Sequence, residues 1–162
     1  MRSRFLAIPF ALCLALASAG IAAADTTPGG EGSYGGLDVT VASASVNPKT
    51  GLVSVSGQVT CSVDFDSVGV QVEVAQVVGR LTTLRGWGWA DTNGCLASVG
   101  TVPFTMSFYA DSGRFAPGKA KVQVAAYGQG GCVEDPTTGD IICANDGWAS
   151  HGPLAIRLAS AK

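Results

Sequence analysis

Cys132 and Cys143 bracket ten residues that include Glu134, Asp135 and Asp140, and Asn145 and Asp146 follow closely. Three chemistries could use such a segment. A redox centre wants Cys-x-x-Cys, whose close spacing depresses a thiol pKa, and the spacing here is too wide. Zinc wants four Cys or His ligands. Cys61, Cys95, Cys132 and Cys143 could in principle converge on one ion, but an oxidising compartment pairs thiols first. Calcium takes hard oxygen ligands of the type present, yet the alternating acids and late Glu of an EF-hand are absent. "DPTTGD" reads instead as a turn, entered through Asp135-Pro136 and left through Gly139. The expectation is a hairpin pinned by a disulfide, with Val133 and the pair Ile141-Ile142 on two short strands. Neither metal nor cofactor is expected.

Catalytic candidates are sparse. The single histidine, His151, adjoins Ser150, but neighbours in an extended chain point apart, and no Gly-x-Ser-x-Gly elbow exists. Asp64 and Asp66 would share one face of a strand, whereas a glycosidase needs its carboxylates across a cleft. A solvated loop accounts for them, and no enzyme is expected. "RGWGWADTNG" is the most distinctive surface candidate. Trp87 and Trp89 fall on one face at period two, with Gly86 and Gly88 on the other, where bare backbone can accept a close neighbour. The simpler expectation is that both tryptophans fill the core. The competing one is an aromatic platform for a sugar ring, a peptide or an apolar metabolite, to which Trp148 and Tyr127 would add.

These residues need a scaffold, and composition bounds it. "MRSR", an apolar run and Ala22-Ala23-Ala24 before Asp25 have the order of a secretory signal peptide over residues 1–24. No second apolar run follows, so no membrane anchor is expected after cleavage. Loss of Arg2, Arg4 and Cys13 leaves eight basic and twelve acidic residues, a formal charge of about −4. That balance argues against a nucleic-acid partner and offers no polybasic patch for anionic lipid. Residues 25–36, with five Gly and one Pro, read as a flexible leader, and one domain follows over residues 37–162. Four cysteines in an exported chain imply two disulfides. Three pairings are open; nearness favours Cys132–Cys143, which leaves Cys61–Cys95. No cell-wall sorting signal is evident at the carboxyl end, so release to the extracellular medium is expected.

From Leu37 onward the hydrophobic period is two. Val53, Val55, Gly57, Val59 and Cys61 share a face; so do Val68, Val70, Val72 and Val74. Phe104, Met106 and Phe108, then Val122, Val124 and Ala126, then Leu154, Ile156 and Leu158 repeat the pattern, and Leu37, Val39 and Val41 begin it. A further strand lies within "GRLTTLRGWGWA". Pro103 cannot donate to a ladder, so its strand starts there or lies at an edge. Pro117-Gly118 suits a tight turn that places Phe115 at a corner of the core. Seven strands, each with one apolar face, require two sheets to meet. The predicted fold is all-β, an immunoglobulin-like antiparallel β-sandwich, with a closed barrel as the alternative.

"GLVSVSGQVTCS", Cys95 after a central hairpin, and "GRFAPGKAKVQVAAYG" together resemble a family of small secreted domains of unknown function in actinobacteria. The likeness covers about Gly51 to Gly128. It implies an immunoglobulin-like sandwich and a Cys61–Cys95 bridge, and it carries no known active residues. A looser likeness, of architecture alone, is to apoproteins of the neocarzinostatin type, which hold a small molecule in a cleft. The functional expectation is a secreted, non-catalytic module that binds a protein or glycan surface. The alternative is a carrier of a small apolar molecule. Carriage requires a concave apolar pocket reached by Trp87 or Trp89; surface recognition requires an exposed aromatic patch.

Overall fold

The computed structural model of the protein describes residues 32–161. The expected signal peptide, and the leader as far as Glu31, lie outside them. Eight strands follow in order: β1 (Ser33–Tyr34), β2 (Leu37–Val46), β3 (Val53–Cys61), β4 (Ser67–Val78), β5 (Thr82–Asp91), β6 (Thr101–Phe108), β7 (Gly118–Glu134) and β8 (Ile141–Ser160). The period-two valines form strands because each can bury one side. Val68, Val70, Val72 and Val74 of β4, Val53, Val55 and Val59 of β3, and Val122 and Val124 of β7 are fully buried. Ser33 and Tyr34 fall inside the expected flexible leader, yet they pair with Ala149 and Trp148 of β8.

The strands follow one path, β5-β4-β7-β8-β2-β3-β6. Seven strands in two separate sheets are therefore not what is seen: the sheet is mixed and curls into a half-barrel. The join is a short parallel pairing of Ser45 and Val46 with Ala159 and Ser160. All other pairs are antiparallel. Pro103 lies in β6, at the edge of the path, as its missing donor requires.

The path curls because β5 has almost no side chain on its inner face. An added Cβ at Gly88 would come within 2.5 Å of Phe108, and one at Gly86 within 2.4 Å of the Tyr109 carbonyl. Bare backbone on β5 thus lets β6 and the segment after it close over the core. The amide of Asp111 donates to the Arg85 carbonyl at 2.8 Å and ties the two edges. Two phenylalanines plug the ends. Phe115 sits at the expected corner, and Phe65 lies against Gly128 and Gly147 at the opposite end; each is 1% exposed. Gln76 is the one buried polar side chain among the described residues. Its amide donates to the Ala116 carbonyl at 2.7 Å and accepts from the Ala116 amide at 3.0 Å, fixing the crossing into β7.

The two disulfides pair Cys61 with Cys95 and Cys132 with Cys143. The first is buried under the Phe65 end. The second joins residues directly opposed on β7 and β8. The stapled segment is not a separate pair of short strands. It is the far end of one long ribbon, because β7 and β8 continue unbroken into it.

Candidate binding face

Inward valines on β4 and β7 force the alternate residues onto one outer face, shared by β5, β4, β7, β8 and β1. Register arranges that face in rows. Trp87 lies opposite Glu73, and Glu73 opposite Gln123. Next come Trp89, Gln71, Ala125 and Ser150, and then Asp91, Gly69, Tyr127, Trp148 and Tyr34. The four aromatic residues singled out by sequence therefore share one surface, although they come from three strands.

Trp87 and Trp89 do not fill the core. They are 57% and 53% exposed, a correction to the simpler expectation. The reason is steric: the inner side of β5 must admit Phe108 and Met106, which leaves the bulky face of the strand outside. Trp89 leans across β4 to stack on Tyr127, with centroids 6.4 Å apart and planes 18° from parallel. Gly69 makes that possible, since a Cβ there would lie 2.0 Å from the Trp89 ring. Trp148 and Tyr34 continue the row, and Gly32 lies over the Trp148 ring, where a Cβ would come within 2.6 Å. From β5 to β1 the row spans about 19 Å at ordinary strand spacing. Tyr34 was not among the sequence candidates, because its Gly-rich surroundings carry no strand period.

Beyond Trp87 the face sinks into a depression of about 280 Å³ lined by Glu73, Ala75, Arg85, Lys121, Gln123 and Pro153. Ala75 is the small residue in its floor. Pro153 forms its wall because β8 bulges: Val122 pairs with Leu154 and Val124 with His151, so two residues oppose Gln123 alone. The bulge also exchanges the faces of β8. Trp148 and Ser150 point outward before it, whereas Leu154, Ile156 and Leu158 turn toward the core after it. Arg85 donates to Glu73 at 2.6 Å.

No family model, curated protein or solved structure matches the chain.

The other candidates take structural positions. Ser150 and His151 fall on opposite faces of β8, and no hydrogen bond joins them among the described residues. Asp64 and Asp66 do not share a strand face. Asp64 accepts from the Ala97 amide and Asp66 from the Gly131 amide, both near 2.8 Å, so each carboxylate satisfies a backbone donor in a loop crossing. At the hairpin tip, Asp135 accepts from the Thr137 amide and hydroxyl. These hydrogen bonds hold its carboxyl below the usual value of 3.8. Among the described residues no three His, Cys, Asp or Glu side chains converge as a metal site.

Charge is segregated along the strands. The loops 47–52, 79–81 and 109–117 and the close of β8 lie at one end. The crossings 62–66, 92–100 and 135–140 lie at the other. Arg85, Lys119, Lys121 and Arg157 lie toward the first end of the outer face, and Lys49, Arg80 and Arg114 in its loops. Asp64, Asp66, Asp91 and Asp146, with the acidic hairpin tip, lie toward the second, while Asp111 is an acid among the loops of the first. Net charge alone gave no sign of a basic patch; the strand register assembles one.

Proposed function

We propose that this is a secreted, non-catalytic binding module that recognises a glycan through the open aromatic face of β5, β4, β7, β8 and β1. The observation that carries the reading is the near-parallel stack of Trp89 on Tyr127, continued by Trp148 and Tyr34. A pyranose ring offers an apolar C–H face and a polar rim. The face offers rings for the first, and Gln71, Gln129 and Ser150 among them for the second. Exported status is supported by the two disulfides. The immunoglobulin-like reading of the fold is supported by the non-local pairings β3–β6 and β4–β7, which give Greek-key connections.

Carriage of a small apolar molecule finds less support. The depression on the face mixes Ala75, Val122 and Pro153 with four charged or amide side chains, and neither Trp87 nor Trp89 lines it. Tryptophan fluorescence of the protein, titrated with soluble neutral oligosaccharides, tests the proposal. Binding with a spectral shift is expected, weakened by about 2- to 10-fold in each of Trp89→Ala and Tyr127→Ala. Equal binding by both variants would place recognition elsewhere. Failure of every oligosaccharide, with a partner protein captured through the same rings, would convert the module to one that reads protein.

A further inference from the structure

We propose that the depression beside Trp87 is a subsite for a sugar ring bearing a carboxylate, so that the face reads an acidic glycan such as a polyuronate. The inference rests on the glycan reading above and adds its chemical class. Three observations carry it.

The depression is small. At about 280 Å³ it lies just below the usual range of pockets for drug-sized ligands and suits one ring. Its charge is specific. Lys121 and Arg85 supply two cations and Glu73 one carboxylate. Glu73 is taken up by Arg85, while Lys121 has no ion pair among the described residues. One unbalanced positive charge matches one carboxylate per ring. The Gln123 amide in the same lining can donate to, or accept from, ring hydroxyls. Finally, the depression lies between the aromatic row and the basic end: Trp87 opposes its Glu73 in register, and Lys119, paired with Arg157, is two residues before its Lys121. A chain lying along the face would place one ring against the tryptophans and a neighbouring acidic ring over Lys121.

A single-stranded nucleic acid fits less well. Its bases would stack where Asp91 and Asp146 flank the rings, while its phosphates would need the cations at the other end. The Lys121 end serves a chain whose charge and stacking rings are the same units.

Calorimetric titration with three probes tests the proposal: a galacturonate hexamer, its methyl ester, and neutral cellohexaose. The acid form should bind about tenfold tighter than its ester. Lys121→Ala should remove that preference by weakening the acid form more than the ester, and Lys121→Arg should restore it in part. The preference should shrink as salt rises. Equal affinity for acid and ester, with Trp89→Ala still weakening both, would overturn the acidic subsite while leaving the aromatic reading intact. Absence of binding by all three probes, or tighter binding of a single-stranded oligonucleotide, would overturn both.

Discussion

Gly88 decides what the tryptophans beside it do. Its α-carbon faces Phe108 and Met106, and a side chain there would collide with both. Gly88→Val should therefore lower stability by about 1–3 kcal/mol, read from the urea midpoint. Gly69 makes the opposite kind of contact, on the wet face. Gly69→Ala should push the Trp89 ring off Tyr127, changing fluorescence and weakening the proposed glycan binding while the midpoint barely moves. Alternation shows that Trp and Gly lie on opposite faces of β5. It does not show which face is dry, because that depends on a strand distant in sequence. Gln76 was equally hidden: a glutamine among valines gives no sign that it holds Ala116. Gln76→Ala loses two hydrogen bonds of about 0.5–1.5 kcal/mol each, and denaturation should report it. At Asp135 the folded carboxyl titrates below the ordinary 3.8. Its contribution to the order of the tip is present above that value and is lost as pH falls through the lower, folded one. The Thr137 amide resonance, followed through an acid titration, should move only in that range.

At the scale of the element, strands were legible wherever one face was fully buried. β3, β4 and β6 run as their valines and phenylalanines indicate. The bulges were not legible. In β8 the buried parity changes across Gly152-Pro153, and in β2 it changes after Val41, where the register shifts against β3. A strict period carried through either point would misplace every later residue, which is how one strand carries both an outward Trp148 and an inward Leu158. The β7–β8 ribbon was divided by its composition: glycines and acids past Tyr127 conceal a ladder that continues to Glu134. Its staple is a local device. Replacing Cys132 and Cys143 by Ser removes about 3 kcal/mol of loop-closure entropy in the chain model, and replacing Cys61 and Cys95 about 4 kcal/mol. The first change falls on an exposed tip, so it should raise amide exchange there more than it lowers the global Tm. The second closes the crossing over Phe65 and should lower the Tm directly.

For the whole molecule, composition gave a modest acidic balance, and the fold converts it into two unlike ends. Summed charge carries no position; strand direction supplies it, because every loop at one end bears a cation and most acids, Glu73 and Asp111 excepted, collect toward the other. Association with an acidic surface should therefore be faster than net charge implies and should slow steeply with added salt. Surface-plasmon association rates on immobilised polygalacturonate would measure this.

Both crosslinks sit at the acidic end; Cys61–Cys95 closes a ring around the whole β4–β5 hairpin, and Cys132–Cys143 one around a turn. A protease that cuts once inside either ring, at Thr137-Thr138 for example, severs the backbone without releasing a fragment. The nicked chain stays one covalent body until a reductant separates it, so such damage would pass unseen on a non-reducing gel. At the basic end a cut in loop 79–81 also falls inside the Cys61–Cys95 ring, whereas cuts in loops 47–52 and 109–117 have no such covalent tie.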